Sequence, residues 1–417
     1  MIQTFVCDRM DSGDNMERII FHIDVNNAFL SWTAIDLLNK GSKYDIRNSY
    51  AVIGGDETAR RGIVLAKSMP AKKCGIYTSE TLYSARKKCP ALRIFPPNYK
   101  WYQEMSGRLF RLLSEYTNDI EVFSIDECSL DYGKVKHLYG DEVKFAYALK
   151  DRIKKELGFT VNIGVANNKL CAKMASDFTK PDKVHTLFQH EIEGKMFPLP
   201  INELFGVGKK SSEKLRLLHI DTIGDLAHTS VGLLYPYFKN QSEHLIRIAN
   251  GIDDSPVNPD QEENKGISST TTLSHDVTSK SELYMILNII VENITLTLRR
   301  QNRYASVVAV ILKDQYFRSY THQRKLNNAT NLTAEVFQIS KELLDECWKG
   351  EAIRLIGVRL NHLTKESKHQ VSLFDSIEQR EHDLILEKTV DQLKEKFGGK
   401  IVHNASLKDH AFLKNNK

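Results

Sequence analysis

Two apolar segments of this chain carry carboxylates at positions where a buried strand tolerates no unpaired charge. The first, residues 18–24, is rich in isoleucine and ends on Asp24, and the second, residues 121–131, carries Asp126 and Glu127 near its middle. Burying an ionised carboxylate without a partner costs several kcal/mol. The pattern therefore predicts two strands of one sheet, and we expect a cation or a proton to neutralise their acids.

The rest of the chain alternates helical and strand-like segments, which predicts an α+β fold. We predict a helical region over residues 31–90, a helix over 141–157 and a strand over 160–165. Short helices follow from 199 to about 251, and a last segment, 266–363, again mixes strands with helices. Because 417 residues exceed what one compact core ordinarily holds, we expect several domains.

Composition argues against several classes of protein. The formal net charge of +5 suits a polyanionic partner without requiring one. The six cysteines form no CxxC pair and no Cys/His cluster, which argues against a zinc site and against a disulfide framework. We find no run approaching about 20 apolar residues and no secretory signal, so we expect a cytoplasmic protein without a membrane partner.

Three short motifs carry a resemblance to a known family. They are Phe21-His22-Ile23-Asp24, the pair Ala28-Phe29, and Ser124-Ile125-Asp126-Glu127. Together they resemble the Y-family DNA polymerases, and the similarity runs from about residue 18 to residue 363. The sequence leaves open whether the chain is closer to the polymerase IV-like or to the polymerase V-like bacterial branch.

The resemblance implies the architecture of a right-hand polymerase, acting as a monomer. Its parts would be a ferredoxin-like palm, small fingers, a helical helix-hairpin-helix thumb and an α+β little-finger domain. The implied ranges are an N-terminal tail 1–16, palm 17–27 and 95–186, fingers 28–94, thumb 187–252, linker 253–265, little finger 266–364 and a C-terminal tail 365–417.

The resemblance also implies that the acids of the two strands bind metal. Asp24, Asp126 and Glu127 would be catalytic and would hold two Mg²⁺ ions, with the backbone carbonyl of Val25 as a further ligand. Two-metal phosphoryl transfer needs acids that place the cations about 3.5–4 Å apart. The implied reaction is attack of a primer 3′-OH on a dNTP, in error-prone bypass of damaged template bases.

Residues near the first strand would contact the incoming nucleotide. Phe29 corresponds to the steric gate that excludes a ribose 2′-OH, with Ala28 beside it, and Lys72 and Lys180 correspond to cations that reach the triphosphate. The chain departs from the family at Ala28, which replaces an aromatic residue, and at Met69, which replaces a phosphate-binding tyrosine found in many members. These departures leave the shape of the sugar pocket and one phosphate contact open.

Two groups of residues would bind DNA. Gly206, Gly208 and Lys209 belong to a segment similar to a helix-hairpin-helix, in which glycines let backbone N–H groups approach a phosphate. Basic residues of the last domain would form a groove that follows the DNA backbone. They are Arg300, Arg303, Arg318 and Arg324, with Arg299, Lys313 and Lys325 nearby.

A short peptide with exposed apolar residues stands in the polar C-terminal tail, which indicates a partner. Gln370, Leu373 and Phe374 resemble the Gln-x-x-Leu-Phe peptide by which bacterial polymerases bind the β sliding clamp. We therefore expect the clamp as a partner, in addition to primer-template DNA and dNTP.

Several alternatives stay open at this point. Each acid could be ion-paired and each basic residue solvated, with no further role. Residues 54–58 are similar to the signature of diguanylate cyclases, but the aromatic residue and the hairpin that those enzymes need are missing. A structure-specific nuclease would use the same acids and metals, whereas a non-catalytic factor that binds DNA and the clamp would not need them.

Overall fold

The computed structural model describes residues 18–58, 60, 62–260, 264–365, 377–398 and 402. The chain divides into two compact units, unit 1 (Met1–Gly55 and Ile63–Gln261) and unit 2 (Asp56–Gly62 and Glu262–Lys417). Both units combine helices with sheets, which confirms the predicted α+β class. The finer division into palm, fingers, thumb and little finger stays a prediction.

The described part of unit 1 contains eight strands and twelve α-helices. The strands are β1 (Ile20–Val25), β2 (Ala51–Gly54), β3 (Val64–Lys67), β4 (Arg93–Phe95), β5 (Ile120–Val122), β6 (Glu127–Asp131), β7 (Val161–Ala166) and β8 (Val184–Thr186). The helices are α1 (Ala28–Asn39), α2 (Met69–Lys73), α3 (Leu82–Lys88), α4 (Tyr99–Ser114), α5 (Lys136–Tyr139), α6 (Glu142–Leu157), α7 (Lys169–Asp177), α8 (Ile192–Lys195), α9 (Lys209–Leu217), α10 (Ile223–Ala227), α11 (Val231–Phe238) and α12 (Gln241–Ala249).

The central sheet of unit 1 has the strand order β5-β6-β1-β7-β8. β1 lies antiparallel between β6 and β7, and all six of its residues are buried. Its odd-numbered residues, such as Phe21 and Ile23, enter a core shared with α4 and α6. Since side chains alternate along a strand, the even-numbered residues face α7 on the other side of the sheet. This alternation places His22 and Asp24 beneath α7.

The close approach of α7 to the sheet depends on two residues of β7. A Cβ on Gly164 would lie 1.9 Å from the carbonyl oxygen of Ala172, so a side chain there would displace the helix. Asn162 is fully buried and donates from Nδ2 to the carbonyls of Ser176 and Thr179, at 3.0 and 2.8 Å. Together they fix the distance between α7 and the sheet.

Two sequence predictions for unit 1 are wrong. Residues 31–90 are not wholly helical, because β2 and β3 form a small sheet of order β3-β2-β4 between helices. Residues 121–131 are not one strand, because the N–H groups of Phe123 and Ser124 both donate to the carbonyl of Glu127, at 3.0 and 3.2 Å, and turn the chain. The acids therefore lie at the end of a β5–β6 hairpin.

The remaining helices of unit 1, α8 to α12, share an apolar core with α7. Leu170 of α7 belongs to the same cluster of buried side chains as Val207, Leu215 and Ile223 of the later helices. This continuous packing holds the segment around Gly206 against the helix that covers the acids.

The described part of unit 2 is a four-stranded antiparallel sheet with helices. Its elements are β9 (Gly266–Val277), α13 (Lys280–Arg300), β10 (Tyr304–Asp314), β11 (Ser319–Thr330), α14 (Thr333–Cys347), β12 (Ile353–Thr364) and α15 (Ile377–Phe397). The strand order is β11-β10-β12-β9. Val308 and Val310 of β10 and Ile356 and Val358 of β12 pack with α13 and α14 in one core. The odd-numbered residues between them therefore point to the opposite face of the sheet.

Helix α13 reaches the length and apolarity of a membrane-spanning segment, with a mean hydropathy of 1.2 over its most apolar window. Asn288, Glu292 and Asn293 interrupt its apolar residues, so it is not an unbroken run of about 20 apolar residues. More than half of that window is buried, at 56%, and Leu283, Leu287 and Ile290 pack in the core of unit 2. This is the packing of a core helix.

The chain beyond residue 364 was expected to be a polar tail, but residues 377–397 form α15. This helix contacts unit 2 through charged side chains. Arg299 Nε lies 2.6 Å from Asp391 Oδ2, and Arg299 also binds Glu387. The Glu387 carboxylate accepts the N–H of Thr333 at 2.7 Å, at the start of α14. The proposed clamp peptide, residues 370–374, lies outside the described residues.

Candidate active site

The acids of β1 and β6 meet across the sheet. Asp24 and Glu127 are direct partners in the antiparallel register, and both side chains face α7. Residues opposite each other on antiparallel strands have Cβ atoms about 4.5–5.5 Å apart. Asp24 is only 6% exposed, and burial together with Asp24 raises the pKa of Glu127 above its ordinary value, against the effect of Lys173. Two ionised carboxylates at this distance repel each other, so a positive charge nearby is needed to stabilise them.

Helix α7 supplies that charge. Lys169, Lys173 and Asp177 follow one another at four-residue spacing, which places them on one face of the helix. Lys173 Nζ lies 2.9 Å from Glu127 Oε1 and 3.4 Å from Asp24 Oδ2. Asp177 lies at the end of the helix and also forms an ion pair with Lys173, at 3.2 Å. The predicted neutralisation of the acids is therefore provided, in this structure, by the chain itself.

Lys180 completes the cluster. Its Nζ lies 2.7 Å from Asp24 Oδ2 and 2.9 Å from Asp177 Oδ1. Burial alone would lower the pKa of Lys173, but Glu127, Asp24 and Asp177 outweigh it and raise that pKa above its ordinary value. The pKa of Lys180 is raised in the same way, against burial, by Asp24 and Asp177. Three carboxylates and two charged ammonium groups thus face one another.

His22 adds no charge to this cluster. Burial lowers the pKa of His22 to about 3, with Lys173 acting in the same direction, so its imidazole is neutral near pH 7. Its Nδ1 lies 3.1 Å from Ser129 Oγ on the neighbouring strand. The residue fills the sheet face next to Asp24.

Asp126 lies in the turn before Glu127 and is engaged differently. Ser124 Oγ donates to Asp126 Oδ1 at 2.6 Å, and the Asp126 carbonyl accepts the N–H of Val25 at 3.0 Å. Within the described residues no three His, Cys, Asp or Glu side chains converge closely enough to hold a metal ion. The metal-binding roles of Asp126 and of the Val25 carbonyl stay predictions.

The residues that do converge fit a divalent cation. Oxygen atoms of Asp24 and Glu127 already surround one positive group, the ammonium of Lys173. Carboxylate oxygens are the protein ligands that Mg²⁺ prefers. Asp24 and Glu127 therefore offer the type of ligand atom that such an ion requires.

Phe29 is held at the start of α1 by other aromatic rings. Its ring stacks on Tyr102, with centroids 4.6 Å apart, and meets the edge of Tyr99 at 6.0 Å. Stacked and edge-on contacts of this kind fix ring orientation. Ala28 is buried in the core, with 5% exposure. The steric-gate role of Phe29 stays a prediction, but the structure gives the ring a firm support.

A pocket of about 380 Å³ lies between the start of α1 and helix α2. Its lining includes Asn26, Met69, Lys73 and Pro181, the residue after Lys180. Lys72, which the resemblance assigned to the triphosphate, is exposed and is not part of this lining. The adjacent Lys73 lines the pocket instead, since neighbouring residues of a helix point in different directions.

The helix-hairpin-helix segment has the backbone that its glycines suggest. Gly206 has φ +92°, in the left-handed region that favours glycine. Gly208 is the N-cap of α9 and provides no side-chain cap. The first N–H groups of α9 are therefore available to an outside acceptor such as a phosphate. Lys209 is 90% exposed at the same helix end.

Arg300, Arg318 and Arg324, all expected to bind DNA, are ion-paired. Arg300 Nε lies 3.0 Å from Glu395 of α15, and Arg318 Nε lies 2.7 Å from Asp314. Arg324 Nη1 lies 2.5 Å from Glu342 of α14. Arg324 therefore points to the helix side of the sheet.

The strand register identifies other basic residues on the opposite face of this sheet. Ala309 of β10 is paired with Gln323 on one side and with Arg359 on the other, so all three share that face. Lys313 and Lys325 occupy the same face, since they lie an even number of residues from Ala309 and Gln323. Sequence reasoning missed Arg359, which stands alone in a strand-like run rather than in a basic cluster.

Both units match one protein family. Residues 23–177 match the impB/mucB/samB family, and residues 264–373 match its C-terminal domain. The DNA polymerase IV of Clostridium acetobutylicum is 46% identical over 94% of this chain and 98% of its own length. The DNA polymerase IV of Acetivibrio thermocellus is 33% identical over 92% of this chain and 96% of its own length.

A solved structure shows the same fold. The Y-family DNA polymerase chimera Dbh-Dpo4(243-245)-Dbh matches with a TM-score of 0.73, over 84% of this chain and 100% of that chain, at 21% identity. This likeness confirms the polymerase fold that the motifs implied. Family match, relatives and fold agree, and the chain belongs to the Y family as a DNA-directed DNA polymerase of the translesion type.

Proposed function

We propose that this polymerase adds dNTPs to a primer 3′-OH at a two-metal site formed by Asp24, Asp126 and Glu127, in the tolerance of DNA damage. The observation that carries this proposal is the convergence of Asp24 and Glu127 on one positive group, across paired strands. Y-family membership implies a divalent metal, and the oxygen-rich donor set supports Mg²⁺ in particular.

The side chains around this site would each have a separate task in the reaction. Two Mg²⁺ ions, when bound, would supply activation of the 3′-OH and neutralisation of the triphosphate. Asp24 and Glu127 hold their carboxylates at a fixed separation because β1 and β6 are paired there. Lys180 and Lys72 would bind phosphate oxygens, with Lys73 next to Lys72 on α2, and Phe29 would exclude a ribose 2′-OH.

DNA would be held by backbone contacts. The N–H groups at the start of α9, next to Gly206 and Gly208, would bind a phosphate. The opposite face of the unit 2 sheet, with Lys313 and Arg359, would follow the duplex without reading its sequence. We further propose that the enzyme is a cytoplasmic monomer that binds the β sliding clamp through Gln370, Leu373 and Phe374.

Primer extension on undamaged and abasic templates tests this proposal. With Mg²⁺ and dNTPs the wild-type enzyme should extend the primer on both templates, and chelation by EDTA should stop it. A nuclease would instead shorten the DNA without dNTPs, and a non-catalytic factor would leave it unchanged. Extension that halts completely opposite the abasic site would contradict the damage-tolerance part of the proposal.

A further inference from the structure

Carboxylate groups surround the Lys173 ammonium group in the way that they would surround a metal ion. Its Nζ lies within hydrogen-bonding distance of three carboxylates, at 2.9 Å from Glu127, 3.2 Å from Asp177 and 3.4 Å from Asp24. The contacts with Glu127 and Asp24 are hydrogen bonds, and the contact with Asp177 is an ion pair. The Lys173 side chain is only 13% exposed. The chain thus places its own cation between the acids.

A divalent ion cannot share these oxygen atoms with Lys173. Oxygen ligands lie about 2.0–2.1 Å from Mg²⁺, and an ammonium group on the same oxygens would then stand within about 4 Å of the ion. The divalent ion and the ammonium group repel each other at that distance, and burial of Asp24 limits the screening of this repulsion by water. Lys173 must therefore withdraw from Glu127 and Asp24 when a metal binds there.

Asp177 is an alternative partner for the Lys173 ammonium group. It lies one helical turn further along α7, it already forms an ion pair with Lys173, and its side chain is 48% exposed. The flexible four-carbon stem of lysine allows the ammonium to shift toward Asp177 without movement of the helix. The nearby Lys169 is bound elsewhere, because its ammonium group donates to both carboxylate oxygens of Glu121, at 2.8 and 3.0 Å.

We propose that Lys173 is the counter-ion of the metal-free site and that Asp177 receives it when metal binds. This inference rests on the metal-binding role proposed above for Asp24 and Glu127. Lys173 competes with the metal ion for the oxygens of Asp24 and Glu127. Asp177 favours metal binding, because it binds the displaced ammonium group. The two neighbours are positioning residues, and they set metal affinity in opposite directions.

Titration of Mn²⁺ into the full-length protein, without DNA or nucleotide, tests the inference. Free Mn²⁺ is followed by electron paramagnetic resonance, so the measurement does not depend on activity. Lys173→Met and Lys173→Gln should each tighten binding about tenfold, and Asp177→Asn should weaken it several-fold. Lys169→Met, on the same helix face, is the matched control and should leave the affinity unchanged.

A second measurement covers the folding of the variants. Without metal, Lys173→Met should lower the melting temperature, because Glu127 loses its counter-ion and Asp24 keeps only Lys180, and Mn²⁺ should restore it. Unchanged or weaker Mn²⁺ binding by both Lys173 variants, or tighter binding by Asp177→Asn, would overturn the inference. If Mn²⁺ binding survived both Asp24→Asn and Glu127→Gln, the proposed metal site itself would fail.

Discussion

Phe29 is positioned by ring contacts with Tyr102 and Tyr99, and this support makes its proposed role testable. Phe29→Ala would open the space that the ring fills, so ribonucleotide incorporation should rise at least about tenfold while dNTP incorporation changes less. Single-nucleotide insertion with matched rNTP and dNTP measures the ratio.

Phe110→Ala is the control for this prediction. Phe110 packs against the same core from α4, so its removal also costs packing. An equal rise in ribonucleotide incorporation in both variants, or no rise in Phe29→Ala, would show that Phe29 is not the gate.

At the scale of single residues, the sequence revealed the acids and Lys180 but missed the other two members of the cluster. Asp24 and Glu127 were recognisable because a charge in an apolar strand is costly and because their motifs resemble a family. Lys173 and Asp177 carry no such signal, since lysine and aspartate are ordinary on a helix. Only the position of α7 over Gly164 brings them to the acids, although their four-residue spacing already placed them on one face.

At the scale of elements, the strand register determines which face of the unit 2 sheet each basic residue occupies, and composition could not show this. The basic residues near β10 and β11 looked like one group in the sequence. In the structure, pairing of Val308 with Arg324 and of Ala309 with Gln323 separates them onto two faces. A one-residue difference along a strand reverses the direction of a side chain, and turns such as 123–126 reset that alternation.

We expect the two faces of the unit 2 sheet to differ in DNA binding. Lys313→Ala and Arg359→Ala should each weaken affinity several-fold for any sequence and should lower the salt slope by about 1, because each removes one phosphate contact. Arg324→Ala, whose arginine is paired with α14, should leave both quantities nearly unchanged. Fluorescence anisotropy over a range of salt concentrations gives these values, and a reversed order would assign DNA to the helix side.

Helix α15 was missed because charged rather than apolar side chains attach it. Arg299 is 11% exposed and binds Glu387, which is 17% exposed, and Asp391. Arg299→Met would leave both acids unpaired and should destabilise unit 2 by about 1–3 kcal/mol. Arg300→Met is the control, since its pair with Glu395 is half exposed and should matter little. Urea unfolding compares the two variants, and equal stability would contradict the role given to Arg299.

At the scale of the whole molecule, the sequence predicted the fold class and the family, and the polar, proline-containing segment 253–265 predicted a domain boundary. In the structure, the main boundary between the two compact units lies near residue 261. This position is within the segment 253–265, which is rich in polar residues and proline. The family matches follow the same division, with one domain in each unit. The activity proposed for the chain requires both units, but its chemistry belongs to unit 1.

Single-turnover primer extension by acid variants tests that chemistry most directly. Glu127→Gln and Asp24→Asn should each lower the rate by roughly 10³-fold, because the carboxylates that hold the metal are lost. Asp131→Asn, at the other end of β6, should stay close to wild type, and DNA affinity should be the same in all three. If Glu127→Gln extended primers as fast as Asp131→Asn, the assignment of the active site to these strands would be wrong.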